Sequence, residues 1–361
     1  MPRIKTATPI VNSGLDSDTA EQVFEQIARF AGYGFNKSHA AAYAAISFQT
    51  AWLKTHHTEA FFAAAMNLNL DKVAEIAVFV NELKRRGIAL WAPSINQSRA
   101  KFEPLRLKKP WKGRDFGICY SLAAIRGVGT SAAHAIEAER KRGGAFRDVE
   151  DLISRTGDAV NRTALLALAK AGAFDCFSIS RPEALAEVDG YRVRGNTAQM
   201  SMFDALEAKP DVKVPDLDTD AVLDNEFDVL GHFMSAHPLD EMASRMIPEN
   251  LQFSGFVLES TRPLRSAAMP AVIVDTDVRR TNAGDVMAVL TLSDPDGQYE
   301  ALAFGETFGE IRHLLRKKAR VILNASISVR GDERRIIIEG AQPLTARRNV
   351  LSDQSHEDIA A

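Results

Sequence analysis

A lysine, a serine and a histidine stand together where a helix is predicted to begin. Lys37, Ser38 and His39 follow an aromatic, glycine-rich turn and precede an alanine-rich run without an acidic residue. Ser38 is the predicted N-cap, so unpaired backbone N–H groups are expected around residues 39–41. Such a helix start with cations beside it suits a phosphate group. Tyr33 and Phe35 add rings that could stack on a base, so the pattern indicates a nucleotide site.

A second interpretation explains the same residues without a ligand. A tightly packed alanine-rich helix would leave Lys37 solvated and use His39 only as a cap. The residue types by themselves favour this second interpretation by a small margin, and both stay open at this point.

Two glycines around a valine form the next candidate site. Gly127, Val128 and Gly129 join two helix-like segments, with Arg126 before them and Thr130 after them. Glycines in such a hairpin let backbone amides approach a DNA phosphate, and these contacts position a duplex without reading its sequence. Arg140 to Arg142 add charge downstream. A second helix pair follows, with Asn161 as the predicted N-cap.

Four residues in a polar segment point to a docking peptide. Gln199, Met200, Met202 and Phe203 lie in the run QMSMF, within a stretch rich in Asp, Pro, Lys and Gly. Apolar side chains in a flexible segment often mark a short peptide that docks on a partner. The alternative is an apolar cluster that covers a neighbouring domain.

Composition limits the remaining functions. The chain has 361 residues, a net charge of -3 and two cysteines without a CxxC pair. Any nucleic-acid surface must therefore be local, for example at the basic cluster 108–114, and neither a disulfide framework nor a zinc site is indicated. No membrane span or signal peptide is predicted, which fits a protein of the reducing cytoplasm. Walker A and GxSxG motifs are absent.

The elements that must position these residues change along the chain. Residues from about 17 to 90 and from about 122 to 175 have helical patterns, and residues 192–225 are predicted to form a linker. From about residue 268 five strand-like runs follow, with one helix predicted between the third and the fourth. That order is typical of an OB barrel, whose face binds oligonucleotides. A generic small β-barrel with a structural role is the alternative.

Four side chains of this predicted barrel are candidate contacts to single-stranded DNA. Arg279 and Arg280 would supply groove charges, and Tyr299 and Phe304 would supply stacking surfaces.

At this point the motifs resemble a known family. The run GYGFNKSHAAAYAAISFQTAWLKTH is similar to the fingers signature of the alpha subunit of bacterial DNA polymerase III, a family C replicative polymerase. The likeness continues in order through YSLAAIRGVG, GGAFRDVEDLISR, NRTALLALAKAGAFD, QMSMFD and LGHFMSAHPLDEM, over about residues 15–345. The sequence departs from the family pattern at His57-Thr58, at Ser121, which replaces a glycine, and at Ala236.

The resemblance implies roles for the candidate residues. In the family the fingers close over the incoming deoxynucleoside triphosphate, near positions that match Tyr33, Lys37 and His39. The Gly-Val-Gly hairpin belongs to a tandem helix-hairpin-helix module on the duplex product. Gln199, Met202 and Phe203 match the sliding-clamp motif, and the barrel matches an OB domain near the single-stranded template.

The resemblance also implies what this chain lacks. The palm of the family, which carries the metal-binding aspartates, has no counterpart in the sequence, so no cofactor is expected in this chain and Mg²⁺ would be bound by that palm. The chain is expected to be inactive alone, with no catalytic residue of its own, unless another chain supplies a palm. The region that binds the tau subunit is also expected to be absent.

The predicted fold is multidomain and mainly α-helical, with fingers and tandem helix-hairpin-helix elements, followed by a C-terminal five-stranded OB-fold β-barrel. The predicted segments are a fingers-like domain at 1–115, a helix-hairpin-helix module at 116–185, a linker with the clamp motif at 186–225, a helical connector at 226–267, the OB-fold at 268–345 and a tail at 346–361.

Three functions remain in competition. The first is a polymerase part that contacts nucleotide, template, duplex, single strands and the clamp. The second is a non-catalytic DNA- and clamp-binding protein derived from the polymerase. An unrelated OB-fold RNA-binding protein is the third, and the fingers signature argues against it.

Overall fold

The computed structural model describes most of the chain. The described residues are 16–32, 37–195, 214, 217–240, 251–260, 264–280, 284–330 and 333–344. The chain divides into two compact units, Met1–Phe61 and Phe62–Ala361.

The helices of the described residues occur in both units. In chain order they are α1 Ser17–Gly32, α2 Lys37–His56, α3 Thr58–Asn67, α4 Val73–Arg85, α5 Thr130–Gly143, α6 Val149–Thr156, α7 Arg162–Lys170, α8 Arg181–Gly195, α9 Thr219–Leu230, α10 Ser254–Glu259 and α11 Gly305–Ile311.

The strands fall into two groups. They are β1 Leu90–Trp91, β2 Glu103–Trp111, β3 Arg114–Cys119, β4 Leu264–Arg280, β5 Val286–Asp294, β6 Gly297–Phe304, β7 Arg320–Arg330 and β8 Glu333–Pro343.

The first unit contains the long helix α2, which presents its apolar side chains to solvent. None of the side chains of α2 is buried. Ile46, Phe48 and Trp52 are each more than two-fifths exposed. Alanines are good helix formers without help from packing, which explains why this helix can form with so little burial.

A three-stranded sheet follows α4 in the second unit. β3 pairs parallel with β1 and antiparallel with β2. The β2–β3 turn has positive φ at both Lys112 and Gly113, at 47° and 77°, which suits a tight hairpin with the right-handed twist of its strands. The boundary predicted between residues 115 and 116 therefore falls inside β3, and this sheet belongs with the helices that follow it.

Four helices, α5 to α8, follow the sheet. α6 and α7 have side-chain N-caps: Asp148 Oδ1 accepts from the Asp151 amide at 2.7 Å, and Asn161 Oδ1 accepts from the Ala164 amide at 2.9 Å. The Asn161 cap was predicted from the sequence and is confirmed. Both ends of the linker predicted at 186–225 are helical, because α8 continues to Gly195 and α9 begins at Thr219, and most of the residues between these helices lie outside the described part of the chain.

A buried ion pair joins α8 to α9. Arg181 Nη1 lies 2.7 Å from Glu226 Oε2, and the two side chains are 12% and 1% exposed. Glu226 Oε1 also accepts from the amides of Met234 and Ser235, at 2.6 and 3.0 Å. Burial alone would lower the pKa of Arg181, but Glu226 and Asp175 raise it above its ordinary value. Both charges are therefore paired inside the fold.

The five C-terminal strands form a barrel. β4 pairs with β5 and β7, β6 pairs with β5 and β8, and β8 pairs with β7, so the pairings run in a ring. The interior holds apolar side chains such as Met269, Leu290 and Leu323. The five predicted strands are confirmed. The helix predicted between the third and fourth is also present but shorter, since α11 ends at Ile311 and a 3₁₀ turn follows.

Two polar clusters connect the barrel to the connector before it. Asp294 accepts from the amide and hydroxyl of Ser254, at 2.6 and 2.9 Å, and burial raises its pKa to about 6. The Leu239 amide donates to His237 Nδ1 at 3.1 Å, so Nε2 carries the proton toward Ser293 Oγ, also 3.1 Å away. Burial, with Lys84 and Arg320 nearby, lowers the pKa of His237 to about 3.

The buried ion pair gives the first prediction. Glu226→Gln should lower the free energy of unfolding by about 3 kcal/mol, because it leaves the buried Arg181 with only the more distant and more exposed Asp175, at 3.3 Å, as a counter-charge. Arg181→Met should cost a similar amount, and the double variant should cost much less than the sum. Urea unfolding of the four proteins measures this coupling. The control is Glu139→Gln, which breaks the exposed pair with Arg142 and should cost under about 1 kcal/mol. Additive effects of the two core changes would contradict the prediction.

The buried histidines give a prediction about pH. Burial also lowers the pKa of His232, to about 4. Below about pH 6.5 the unfolded chain protonates both histidines while the folded chain does not, so stability falls with acid. Asp294 acts in the opposite direction, because its folded form takes up a proton near pH 6 and its unfolded form only near 3.8. Two histidines outweigh one carboxyl, and the net change is a loss of stability.

The variant His237→Asn should remove one of the two histidine terms. Its free energy of unfolding should therefore fall with acid less steeply than that of the parent chain, by about 1.4 kcal/mol per pH unit between roughly pH 6 and pH 4. Urea unfolding at several pH values gives both slopes. His134→Asn, at an exposed position of α5, serves as the control and should keep the parent slope. Equal slopes for the parent and His237→Asn would refute the assignment.

Candidate nucleic-acid interface

The Gly-Val-Gly loop presents its backbone to solvent. Val128 is buried, whereas Gly127 and Gly129 on either side of it are exposed. Gly127 has φ +96°, and a Cβ there would come within 3.2 Å of the Ala167 methyl group on α7. Glycine is therefore favoured at this position by its backbone conformation, and a side chain there would be tight against α7. The buried valine anchors the loop, and Gly129 adds no side chain to its open side.

Helix α5 begins directly behind this loop. Gly129 is its N-cap and Thr130 its first residue, so the first amides of the helix have no acceptor within it. A Cβ on Gly129 would have only Ser131 Oγ within 4 Å, at 3.9 Å. An anion can therefore approach the backbone at this point. Arg126, Gly127, Gly129 and Thr130, the residues predicted to contact DNA, are all exposed.

Ser121, where the family pattern has glycine, stabilises the approach to the loop. Its buried hydroxyl donates to the Ala100 carbonyl at 2.6 Å and accepts from the Ala124 amide at 3.2 Å. These bonds cap a 3₁₀ turn, Leu122–Ala124, which leads into the loop. The segment before the loop is thus a single short turn.

The cations around the loop are less available than the sequence predicts. The Arg126 guanidinium donates to the Asp228 carbonyl at 3.1 Å, which ties the loop to α9. Arg140 donates to the Ile95 carbonyl at 2.5 Å, and burial lowers its pKa. Lys141 and Arg142 pair with Glu137 and Glu139 on α5. Backbone amides, more than free side-chain charge, therefore characterise this surface.

A second helix pair packs behind the first. The turn between α6 and α7 contains Gly157, which has φ +52° and nothing within 4 Å of an added Cβ. Asn161 caps the next helix, so this turn also ends at a helix N-terminus. Unlike the first loop, it carries an acidic residue, Asp158.

Arg279 and Phe304 share one face of the barrel. Arg279 pairs with Met287, and Met287 pairs with Phe304, so the three residues form a row across β4, β5 and β6. The row is on the outside, because the neighbouring Ala288 and Ala303 belong to the interior. Phe304 is 39% exposed, and Arg279 is exposed beside its partner Asp277 at 2.6 Å. Arg280 is exposed at the end of β4.

The prediction that Tyr299 is a stacking surface is wrong. Its side chain is only 6% exposed and belongs to the core of the barrel, and its buried hydroxyl has no hydrogen-bond partner among the described residues. Tyr299 pairs with Leu292, and both face the interior. Strand alternation places it on the side opposite to Phe304, which is an odd number of residues away.

The first turn of α2 carries Lys37, Ser38 and His39. The helix begins at Lys37, so Ser38 lies inside the helix and is not its N-cap. The first turn has no acidic residue, which is compatible with an anion there. The His39 ring contacts Tyr43, with ring centres 4.5 Å apart. Tyr33 lies outside the described residues, as do Gln199, Met200, Met202 and Phe203.

The described residues contain neither a metal site nor a membrane span. They bring no three His, Cys, Asp or Glu side chains together in a way that could hold a metal ion. None of their helices is both long enough and apolar enough to cross a bilayer.

Three exposed aromatic rings near the basic cluster 108–114 were not predicted from the sequence. Trp91, Trp111 and Phe116 are 37%, 53% and 45% exposed on the sheet of β1, β2 and β3. The alternation of cations and aromatic residues in KKPWKGRDF was the available signal. The sequence alone does not reveal this surface, because only the strand pairing shows that Phe116 lies opposite Arg106.

A protein family and several solved structures each match part of the chain. The family described as "Helix-hairpin-helix motif" matches residues 87–184. The chain is similar over part of its length to the SSB domain of a Synechococcus sp. protein, with 13% identity, a TM-score of 0.20, and coverage of 22% of this chain and 93% of that one. It is also similar to the second OB-fold domain of replication protein A from Methanococcus maripaludis, with 13% identity and a TM-score of 0.19, over 23% of this chain and 88% of that one.

Curated relatives cover nearly the whole chain. The DNA polymerase III subunit alpha of Caulobacter vibrioides is 32% identical over 98% of this chain and 31% of its own length. Those of Thermus aquaticus and Escherichia coli O157:H7 are 32% and 30% identical over 92% and 96% of this chain, and 27% and 30% of theirs. The chain thus spans about three-tenths of the length of these relatives. The resemblance seen in the sequence is confirmed: over nearly its whole length, the chain is homologous to one part of the DNA polymerase III alpha subunit.

Proposed function

We propose that this chain supplies DNA-holding surfaces to replicative DNA synthesis of the DNA polymerase III type. The observation that carries the proposal is the exposed backbone at Gly127 and Gly129 in front of α5, inside the segment matched by the helix-hairpin-helix family. Backbone amides at a helix start recognise phosphate whatever the base sequence, which is what a polymerase needs for its duplex product.

The barrel would bind the single-stranded template. Five strands with a helix between the third and fourth have the order of an OB-fold, and folds of this kind bind oligonucleotides on one face. The outer row of Arg279, Met287 and Phe304 combines a cation with an exposed ring. Phosphate attraction and base stacking on such a row need no sequence preference.

The start of α2 would contact the incoming nucleotide. Lys37, Ser38 and His39 lie in the first turn of a 20-residue helix. A triphosphate there would gain from the helix dipole and from Lys37. Nucleotidyl transfer itself requires carboxylates that hold Mg²⁺, and the described residues do not provide such a set. The transfer would therefore depend on a palm supplied separately, and no step of it is assigned to the described residues.

The segment 199–203 would dock on the sliding clamp. Phe203 and Met202 offer apolar anchors and Gln199 a polar group for the rim of a pocket. Such a peptide gives modest affinity, but tethering to DNA multiplies its effect.

A second candidate function is a non-catalytic DNA- and clamp-binding protein. The observation that favours it is that the described residues contain no cluster of carboxylates that could hold a metal ion, whereas they include surfaces suited to DNA. Primer extension after addition of a purified palm separates the two functions, because only the polymerase part would restore synthesis.

The loop at Gly129 gives a sharp test of duplex binding. Gly129 has an ordinary φ of -67°, and an added side chain meets almost nothing, so Gly129→Val should fold normally. It would still block the approach of a phosphate to the amides, so duplex affinity should fall roughly tenfold. Fluorescence anisotropy with a labelled duplex measures the affinity. Gly309→Val, at an equally open position of α11, is the control. Undiminished duplex binding by Gly129→Val would count against the proposal.

The clamp peptide gives a separate prediction. The double variant Gln199→Ala/Phe203→Ala should bind the sliding clamp at least thirtyfold more weakly than the parent chain, a loss of about 2 kcal/mol. Surface plasmon resonance on immobilised clamp measures it. Thr197→Ala, just before the motif, should bind as the parent does. Equal affinities for the parent and the double variant would show that these residues only pack on a neighbouring domain.

A further inference from the structure

A broad groove lies along the three-stranded sheet, away from the Gly-Val-Gly loop and from the outer row of the barrel. It has a volume of about 1390 Å³ and runs between β2, the C-terminal end of α4 and the loop at Phe233 and Met234. None of the roles implied by the resemblance uses this groove.

The groove is strongly basic. Seven of its lining side chains are lysine or arginine, and one, Glu103, is acidic. Glu103 is paired with Arg99 at 2.8 Å. Within the described part of the chain, Arg106, Lys108 and Lys109 are exposed and have no ion-pair partner. The chain as a whole has a net charge of -3, so this concentration of positive charge is local and favours an anionic occupant.

Aromatic rings alternate with these cations. Trp91 and Trp111 line the groove. The Trp91 ring lies against the backbone of Gly117, where a Cβ would come within 2.6 Å of it. The Lys112 ammonium lies 5.9 Å from the centre of the Trp111 ring. The rings are therefore held in place on the sheet while their outer parts remain exposed.

We propose that this groove binds single-stranded nucleic acid. Arg106, Lys108 and Lys109 would contact phosphates, and Trp91 and Trp111 would stack on bases. Stacking requires base faces that are free, which a single strand offers and a duplex does not. An acidic protein would match the charge but would leave the rings without flat partners. The site goes beyond the proposed function, because it needs neither the hairpin loop nor the barrel.

The tryptophans of the chain make a direct test possible. The chain has three, and Trp91 and Trp111 are both in the groove. In the full-length Trp52→Phe variant they are the only tryptophan reporters. Saturating oligothymidylate should quench their emission, whereas a blunt duplex and polyglutamate at equal charge should not. Unquenched emission, while anisotropy shows the labelled oligothymidylate to be bound, would overturn the proposal, as would equal quenching by polyglutamate or by the duplex.

Variants in the groove test the contacts. Trp111→Ala should weaken oligothymidylate binding about tenfold, and Trp111→Phe, which keeps a ring, should recover most of the affinity. Lys108→Gln/Lys109→Gln should reduce the salt dependence of binding by about 1.4 in the log–log slope, or about 0.7 for each phosphate contact. The control Lys72→Gln/Arg85→Gln removes the same charge from exposed positions beside and on α4 outside the groove. Equal effects of the two double variants would overturn the assignment.

A further variant distinguishes binding of a single strand in the groove from binding on the barrel. In a Trp52→Phe/Phe304→Ala variant, quenching by oligothymidylate should persist, because the reporters do not depend on the outer row of the barrel. Quenching that disappears with Phe304→Ala would place the single strand on the barrel and refute the groove. Duplex binding by Gly129→Val reports on the proposed function alone, so either idea can fail without the other.

Discussion

The ion pair between Arg181 and Glu226 is the contact on which the second unit depends. A carboxylate that is 1% exposed is stable only if every oxygen finds a donor, and Glu226 receives Arg181 on one oxygen and two backbone amides on the other. The guanidinium in turn lies against Gly172, where a Cβ would come within 2.8 Å of its central carbon. Three separate segments, before, within and after α9, must therefore be in place before the charge is satisfied.

Helix α9 thereby becomes the common support of the hairpin module and the barrel. On one side the Arg126 amide donates to the Val229 carbonyl at 2.9 Å, next to the Gly-Val-Gly loop. On the other, Lys318 and Arg320 of the barrel pair with Asp228 and Asp220 at 2.8 and 2.6 Å. The surface ion pairs each contribute little, but the buried pair fixes the helix that they share. The Gly-Val-Gly loop and the barrel are thus both held by α9.

What the sequence predicts well is local. The glycines of the hairpin, the Asn161 cap and the five strands follow from backbone conformation, side-chain capping and period-two alternation, all of which act over a few residues. What it misses depends on pairing between distant segments. Tyr299 looked like a surface ring until its pairing with Leu292 placed it inside the barrel. Likewise, nothing near Glu226 in the sequence shows that Arg181, on another helix, makes its burial tolerable. The site residues on α2 and at 199–203 stay predictions.

A net charge of -3 is compatible with DNA binding in this chain, because in the part that the structure describes some of its cations pair with acids while others remain unpaired at one surface. Around the hairpin, Lys141 and Arg142 pair with acids of α5, and Arg147 pairs with Asp151 of α6, so little free positive charge remains there. Phosphate binding at that surface falls to backbone amides, whose partial charges do not change the net charge. Among the described residues, Lys108 and Lys109 of β2 have no ion-pair partner and lie near the exposed ring of Trp111. Amides without neighbouring rings suit a closed duplex, and cations with rings suit a strand whose bases are free, so the two proposed sites would differ in the form of DNA that they prefer.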